Sequence, residues 1–324
     1  MQVPQFGMGC SALGNLYRQV SDREANAAIL AALQGGVRYF DTAPLYGFGL
    51  SEQRLGFALA SGAASDVVIS TKVGRVLIPT DASEPRYGFV GALPFEPVFD
   101  YSFDGVMNSY QSSLRRLRDR RINILLAHDL GPRTHGERSA QMTADFLSGG
   151  YQAMCKLREA KRIDAIGIGV NETVICDELL DRIELDFILL AGRYTLLEQD
   201  ALPLLDRCAR LGVGVIVGGP FNSGILVEQA NAAVLHYDYD VAPTGLISVA
   251  QRMRALCEQL HTSLPAAALH FPLAHPAVRC VLPGLANQAE VEQALAWREH
   301  AVPATLWTAL RDAGLTAPLA PLPL

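Results

Sequence analysis

The sequence predicts an α/β protein with a (β/α)8 TIM barrel, and three observations support this prediction. Short apolar runs alternate with longer amphipathic segments eight times along the 324 residues. The apolar runs are continuous, which is typical of parallel strands buried on both faces. Eight strand–helix repeats in a chain of this length suit a barrel with long substrate loops and extra C-terminal helices.

A doubly wound sheet is the alternative fold class. Such a sheet normally binds its dinucleotide at a Gly-x-Gly-x-x-Gly turn after the first strand. The corresponding segment here is Gly7-Met8-Gly9-Cys10-Ser11-Ala12, which lacks the third glycine. No linker composition interrupts the chain, so residues 1–324 are predicted to form one barrel domain.

The strands are predicted from apolar runs that are bounded by polar or turn-forming residues. They cover residues 6–10, 37–40, 67–71, 122–127, 165–170, 185–190, 213–217 and 280–282. Residues 74–101 and 219–243 are rich in glycine, proline or aromatic residues and are predicted as long loops.

The helices are predicted from segments whose apolar residues recur with helical spacing. They cover residues 23–34, 51–60, 103–117, 146–159, 173–182, 200–211, 246–260, 287–297 and 303–312. Ser51 is the first residue of the second of these segments and is predicted to be its N-cap.

Composition excludes several classes of protein. Half of the residues are apolar and the net charge is −6, which argues against disorder and does not favour nucleic acid or an anionic membrane as a partner. The six cysteines form no Cys-x-x-Cys pair and have no histidine at metal-site spacing, so no metal site is expected. Without a signal peptide or an apolar span, we expect a cytoplasmic protein. No obligate protein partner is evident in the sequence, and the polar residues at the strand ends favour a small-molecule substrate.

Chemically active residues lie at the carboxyl ends of four predicted strands. Asp41, Lys72, His128 and Asn171 occupy these positions, and Tyr46 follows in the loop after Asp41. Each alone is more typical of a cap, a turn or a solvated polar group. In a barrel, however, the carboxyl ends of the strands converge on one face, so together these residues indicate one site.

Four of these five groups suit proton transfer at a carbonyl or an alcohol. A free tyrosine has a pKa near 10, and a neighbouring ammonium favours the phenolate. An aspartate paired with the lysine would orient it, and a histidine would donate a hydrogen bond to the reacting oxygen. Asp41, Tyr46, Lys72 and His128 therefore predict an acid/base site whose hydride partner is a cofactor rather than a metal.

These residues occur in blocks that resemble the aldo-keto reductase superfamily from end to end. The blocks are residues 40–47 with Ser51-Glu52, residues 70–74, and His128-Asp129. The resemblance implies that Tyr46 is the general acid/base, that Lys72 and Asp41 tune it, and that His128 orients the substrate oxygen.

Within the superfamily, the chain is most similar to aldose dehydrogenases that oxidise L-fucose, D-arabinose or L-galactose at C1, and to a relative that oxidises pyridoxal. Residues 101–106, 190–197 and 218–226 carry this similarity. It implies oxidation of an aldose hemiacetal to a lactone. Oxidation of pyridoxal and reduction of general aldehydes remain alternatives, and a cofactor-binding regulatory subunit is an alternative of another class.

The resemblance also implies a dinucleotide site. Asn171 would hold the nicotinamide carboxamide, Tyr194 would stack on its ring, and the loop from Gly219 to Gly224 would wrap the pyrophosphate. The usual serine before Asn171 is Val170, and the usual glutamine before Tyr194 is Ala191. The full set of expected cofactor contacts is Gly9, Cys10, Asp41, Asn171, Tyr194, Gly219, Pro220, Phe221, Asn222, Ser223, Gly224, Gly284, Asn287, Glu290 and Gln293.

The segment after the last strand predicts NAD rather than NADP. Residues 283–294 contain no lysine or arginine, and Glu290 stands where NADP-dependent relatives often have an arginine. A carboxylate there would repel a 2′-phosphate or accept a hydrogen bond from a free ribose hydroxyl. NADP remains possible if Glu290 is only a solvated helix residue and a distant arginine binds the phosphate.

The substrate pocket is expected between the loops at 74–101, 130–145 and 221–243. Aromatic residues in the first and third of these loops suit a sugar or a pyridine ring. The same residues would also pack the loops onto the barrel, so individual substrate contacts are not assigned.

Overall fold

The computed structural model describes residues 1–60, 66–82, 84–227, 236–238 and 240–323. Its strands are β1 (Met8–Gly9), β2 (Tyr39–Asp41), β3 (Val68–Val73), β4 (Arg75–Pro79), β5 (Phe95–Phe99), β6 (Ile124–His128), β7 (Ala165–Val170), β8 (Phe187–Ala191), β9 (Gly214–Gly218), β10 (His236–Tyr237), β11 (Asp240–Val241) and β12 (Val278–Leu282). Its α-helices are α1 (Asp22–Gln34), α2 (Leu50–Ala60), α3 (Phe103–Arg116), α4 (Pro132–His135), α5 (Ser139–Asp145), α6 (Tyr151–Glu159), α7 (Val174–Leu180), α8 (Leu202–Leu211), α9 (Thr244–Gln259), α10 (Leu264–His270), α11 (Gln288–Glu299) and α12 (Ala304–Asp312).

Eight parallel strands form the barrel, in the order β1-β2-β3-β6-β7-β8-β9-β12. Parallel bridges from Phe6 to Val281 and from Gly9 to Gly284 join the first strand to the last. The predicted (β/α)8 barrel is therefore confirmed, and all eight predicted strands overlap barrel strands. The main differences are at strand ends, where hydrogen bonding extends β3 to Val73 and β6 to His128.

Two apolar layers hold the barrel together. The inner layer fills the barrel with side chains that include Tyr39, Leu126, Phe187 and Ile216. The outer layer packs the other faces of the strands against the surrounding helices. Burial on both sides explains why the strands are continuous apolar runs.

Four segments differ from the prediction, two of them because the pairing of short strands was not visible in the sequence. Residues 74–101 contain the antiparallel hairpin β4–β5 rather than only loop, and β10 pairs with β11 inside the second long loop. The segment at 146–159 begins as a π-helix at Phe146–Gly150 before α6. Helix α10 was not predicted, because its alanine-rich apolar sequence has no amphipathic period.

The prediction that Ser51 caps the second helix was wrong. Helix α2 begins one residue earlier, at Leu50, after a kink in which Gly47 and Phe48 have positive φ angles. The buried Ser51 hydroxyl instead donates a hydrogen bond to the Cys10 carbonyl at 2.7 Å and lies 2.9 Å from the Thr42 hydroxyl. It therefore ties α2 to the loops after β1 and β2.

The cysteines are free thiols, and all except Cys155 are buried. Burial raises the pKa of Cys208 and of Cys257 to about 11. It also raises the pKa of Cys10, Cys176 and Cys280. Among the described residues, no group of His, Cys, Asp and Glu side chains could hold a metal ion, and no helix is long and apolar enough to cross a membrane.

Candidate active site

A buried ion pair lies at the carboxyl ends of β2 and β3. Lys72 Nζ donates a hydrogen bond to Asp41 Oδ2 at 2.7 Å and another to the Thr42 carbonyl at 2.9 Å. The second carboxylate oxygen of Asp41 accepts a hydrogen bond from the Ser70 hydroxyl at 2.6 Å. Only 4% of Asp41 and 1% of Lys72 are exposed, so this pair is shielded from solvent and fixed in orientation.

Tyr46 and His128 complete the cluster. Lys72 Nζ lies 4.7 Å from the centroid of the Tyr46 ring. The His128 ring meets the Tyr46 ring edge-on, with 6.0 Å between centroids. The structure thus brings together the four residues that the sequence predicted as catalytic.

The His128 imidazole is held uncharged by its surroundings. Burial lowers its pKa well below the usual range, and the nearby Arg75 and Lys72 cations lower it further. Asp129 acts in the opposite direction but is outweighed. A neutral imidazole keeps an N–H donor, which suits hydrogen bonding to a substrate oxygen.

Glu52, the second residue of the Ser51-Glu52 block, supports the site from behind. Its buried carboxylate accepts hydrogen bonds from the Thr71 hydroxyl and from Arg116 Nε, both at 2.6 Å. Because Thr71 immediately precedes Lys72, the carboxylate fixes the end of β3 against α2 and α3. Glu52 therefore has a structural role in this arrangement.

A small cleft next to the barrel mouth contains four of the predicted cofactor residues. These are Asn171, Gly219, Asn222 and Ser223. The rest of its lining is Ala191, Gly192, Arg193, Glu198, Tyr237 and Asp238.

This cleft has features that fit a dinucleotide. Asn222 Oδ1 is buried and has no hydrogen-bond partner in the described part of the chain, so it is an acceptor available for a ligand donor. Gly219 has a φ of +60° and open space at the position of a Cβ, which lets a ligand approach the backbone. The side-chain amides and the Ser223 hydroxyl suit the polar groups of NAD or NADP, whereas the Arg193 cation is paired with Asp238.

Arg193 is one of the cleft residues that sequence reasoning missed. Its Nε donates a hydrogen bond to the Asn171 carbonyl at 2.9 Å, and its Nη2 lies 2.5 Å from Asp238 Oδ1. Asp238 also pairs with Arg133 at 2.6 Å. Arg193 therefore links the end of β7 to the turn between β10 and β11, and its place in the block at residues 190–197 was the available signal.

The structure does not bring Tyr194 to the cleft. The Tyr194 side chain is fully buried, and its ring packs against the rings of Phe271 and His275, with centroids 5.7 and 5.6 Å away. No face of the ring is exposed for a nicotinamide to stack on. The ring is instead part of the apolar layer between the strands and the helices.

The other predicted cofactor residues surround the barrel mouth with different exposures. Cys10 is fully buried, whereas Gly284 and Gln293 are exposed. Gly9 is paired with Gly284 across the closing seam of the barrel. In the loop after β9, Pro220 is buried, Phe221 packs edge-on against Trp297, and Gly224 has a φ of +99°.

Glu290 lies in the first turn of α11 and is held by three donors. Asn287 caps this helix, and its side-chain amide donates to Glu290 Oε1 at 2.7 Å, while the Ala286 N–H donates to Oε2 at 2.7 Å. Arg18 Nη2 lies 3.2 Å from Glu290 Oε1. Sequence reasoning missed Arg18, which is distant from Glu290 in the sequence but places a cation beside its carboxylate.

The barrel and the Asp–Tyr–Lys–His cluster at its mouth define an oxidoreductase. The chain belongs to the aldo/keto reductase family, whose family model matches residues 5–313. Members of this family use NAD(P)H.

Three relatives with named activities are similar over most of their lengths. Pyridoxal 4-dehydrogenase of Microbacterium luteolum is 38% identical over 97% of this chain and 95% of its own. D-threo-aldose 1-dehydrogenase of a Pseudomonas species is 36% identical, with the same coverage. L-galactose dehydrogenase of Arabidopsis thaliana is 28% identical over 91% of this chain and 84% of its own. The predicted superfamily and subgroup are thereby confirmed.

Solved structures share the fold. An aldo-keto reductase from Bacillus halodurans in its holo form superposes with a TM-score of 0.75 at 23% identity, covering 97% of this chain and 92% of its own. A glycerol dehydrogenase from Gluconobacter oxydans gives a TM-score of 0.74 at 20% identity, with 99% and 93% coverage. At these identities the similarity concerns the barrel alone.

Proposed function

We propose that this protein oxidises the C1 hemiacetal of an aldose to the lactone with NAD, the aldose being of the L-fucose, L-galactose or D-arabinose type. The observation that carries the proposal is the position of Lys72, which bonds to Asp41 at 2.7 Å and lies 4.7 Å from the Tyr46 ring centroid. This arrangement favours a phenolate at Tyr46, which is the form needed to remove a proton.

In the proposed reaction, the residues at the barrel mouth act on the C1 hydroxyl of the cyclic sugar. Tyr46 as phenolate takes the hydroxyl proton, and His128 donates an N–H hydrogen bond to the same oxygen. The C1–H bond breaks with its electron pair leaving as hydride, and the C1=O bond of the lactone forms. The oxidised nicotinamide of a bound cofactor supplies the hydride acceptor.

Cofactor binding is proposed for the cleft beside β7, β8 and β9. Asn171, Asn222 and Ser223 would donate and accept hydrogen bonds, and the backbone at Gly219 would allow close approach. Arg193 would keep Asn171 in place through the 2.9 Å hydrogen bond to its carbonyl.

Oxidation of pyridoxal is the second candidate. Its support is the relative named pyridoxal 4-dehydrogenase, at 38% identity. Pyridoxal forms an internal hemiacetal, so the same removal of a proton and a hydride would give pyridoxolactone. The two substrates thus require the same chemistry at Tyr46 and differ only in what the surrounding loops must accommodate.

Product analysis tests the proposed reaction. Incubation with NAD and L-fucose, L-galactose or D-arabinose is expected to yield NADH and the corresponding lactone, because C1 already bears a hydroxyl for Tyr46 to deprotonate. Pyridoxal is assayed in parallel and is expected to give lower kcat/KM. If no hemiacetal yields NADH while simple aldehydes are reduced efficiently, the protein is a general aldehyde reductase; if none of these reactions occurs, the cofactor-binding regulatory role replaces the enzymatic one.

Arg18 bears on the proposed preference for NAD, because a cation beside Glu290 could bind the 2′-phosphate of NADP. Its guanidinium is already paired with Glu290, so the two charges offset each other where a 2′-phosphate would need a free cation. Both side chains are roughly half exposed, and such pairs contribute about 0–1 kcal/mol. Glu290 is also fixed by Asn287 and Ala286, which keeps the carboxylate in place.

Glu290→Arg is therefore expected to narrow the preference for NAD, mainly by lowering the KM for NADP. It removes the carboxylate that neutralises Arg18 and adds a second cation. Steady-state kinetics of both cofactors measures the ratio of kcat/KM values. The matched control is Glu292→Arg, the same charge change at an exposed position of α11, which should leave the ratio unchanged. A wild-type protein that clearly prefers NADP would contradict the proposal.

A further inference from the structure

An ion pair lies directly beside His128 and has no role in the reaction described above. Arg75 Nη2 donates a hydrogen bond to Asp129 Oδ2 at 2.7 Å. The same carboxylate oxygen lies 3.6 Å from His128 Nε2. The side chains of the three residues are only 8%, 16% and 9% exposed, so their charges interact with little screening by water.

The fold fixes both members of this pair. Arg75 begins β4 just after Lys72, and its guanidinium lies 4.3 Å above the Phe99 ring of β5. Asp129 follows His128 in a left-handed conformation, with a φ of +53°, and its N–H donates to the Gly169 carbonyl at 2.9 Å. Hairpin β4–β5 therefore places the cation against the loop that carries the histidine.

The arrangement carries a cost that a purely structural ion pair would not need. Arg75 Nη1 is buried and has no hydrogen-bond partner among the described residues. Unsatisfied buried donors are rare in native proteins and tend to persist where function requires the geometry.

The charges around His128 come from every element that packs against it. Asp129 favours its protonated form, whereas Arg75 and Lys72 disfavour it. Lys72 is itself paired with Asp41. In the described part of the chain, further titratable neighbours are Tyr46, whose ring meets the imidazole edge-on, Tyr101, which donates to the His128 carbonyl at 2.6 Å, and His135, which lies 3.1 Å from the Tyr101 hydroxyl.

We propose that Arg75 and Asp129 are positioning residues: Arg75 holds the Asp129 carboxylate and prevents it from drawing a proton onto the buried His128, so that Tyr46 alone transfers the proton. Asp129 on its own would attract a proton to the imidazole, since a carboxylate at this distance favours the charged form. Arg75 binds the carboxylate and cancels this effect. The catalytic role of His128 rests on the proposed function. Its protonation state does not, because that state can be measured in the protein without substrate.

The test is the titration of His128 by NMR in protein labelled with 15N-histidine, its signals assigned by their loss in His128→Gln. In the wild type, His128 is expected to remain neutral through neutral pH. In Arg75→Met, its pKa is expected to rise by about one unit or more, because Asp129 is no longer paired. In Arg75→Met/Asp129→Asn, the rise should disappear, and Arg75→Lys should largely preserve the wild-type behaviour.

Two comparisons separate this role from a structural one. Arg158→Met is the control. Arg158 lies on α6, and its Nη1 is 2.8 Å from Asp186 Oδ2, so the substitution breaks another Arg–Asp pair and should leave the His128 titration unchanged. In Arg75→Met, the acidic limb of the pH profile of kcat/KM should move to higher pH. In Arg75→Lys, which keeps the positive charge, the acidic limb should stay near its wild-type position. An unchanged His128 pKa in Arg75→Met would overturn the proposal, as would a rise that persists in the double variant.

These results are independent of the substrate. The titration needs neither sugar nor cofactor, so it stands if product analysis identifies another substrate. Conversely, lactone formation with an unaltered His128 titration would leave the proposed function intact and reject the role of the ion pair. Thermal unfolding of each variant shows whether it is folded under the conditions of the titration.

Discussion

Tyr46→Phe is expected to lower kcat by about 10²- to 10⁴-fold, the range that general acid/base groups contribute. The substitution removes only the phenolic hydroxyl, so the ring contacts with Lys72 and His128 can persist. Without the phenolic oxygen, the proton of the C1 hydroxyl has no acceptor at this position. Steady-state kinetics with NAD measures the loss, and quenching of protein fluorescence by NAD measures cofactor affinity, which should change little.

Tyr151→Phe is the matched control. Tyr151 lies on the outer helix α6, and its hydroxyl donates a hydrogen bond to the Glu184 carbonyl at 3.1 Å. The substitution therefore also removes one hydrogen-bonded phenolic hydroxyl. Turnover should remain near the wild-type value. Near-normal activity in Tyr46→Phe would reject Tyr46 as the acid/base group.

Lys72→Met is expected to lower the rate strongly and to shift the pH profile of oxidation upward. Loss of the ammonium 4.7 Å from the Tyr46 ring centroid disfavours the phenolate, so a higher pH is needed to deprotonate the phenol. The measurement is kcat/KM as a function of pH in both proteins. An unshifted profile with reduced rate would show that Lys72 acts through geometry rather than charge.

Lys72→Met also leaves Asp41 buried without its cation, which costs about 3–5 kcal/mol in stability for pairs of this kind. The variant Asp41→Asn/Lys72→Met removes both charges and should recover part of that stability without recovering the rate. Lys156→Met is the control for loss of a lysine beside an aromatic ring, since Lys156 Nζ lies 4.8 Å from the Phe103 ring centroid on the outer face. It should leave both the rate and the profile unchanged.

The barrel and the central part of the site could be predicted because the polar residues of the site stand at the carboxyl ends of apolar strands. In a parallel barrel every carboxyl end faces the same side, so Asp41, Lys72, His128 and Asn171 could be grouped without knowing any distances. The structure places the first three with Tyr46 and lines the neighbouring cleft with Asn171.

Contacts between distant segments could not be predicted in the same way. Arg18 reaches Glu290 across the closing seam of the barrel, and no local pattern connects them. Arg75 contacts Asp129 only because β4 and β5 form a hairpin within what reads as a loop. Tyr194 was assigned to the cofactor from the family resemblance, but its ring packs against Phe271 and His275 in the core. Such outcomes depend on tertiary geometry rather than on residue type.

The distribution of the thiols has a practical consequence for spectroscopy. Electrophilic reagents react with thiolates, and burial both shields the five buried cysteines and raises their pKa. Cys155, on α6, is the remaining partly exposed thiol. The native chain therefore carries one natural attachment point for a fluorophore or a spin label, and probes of barrel motion can be introduced without first replacing the other cysteines.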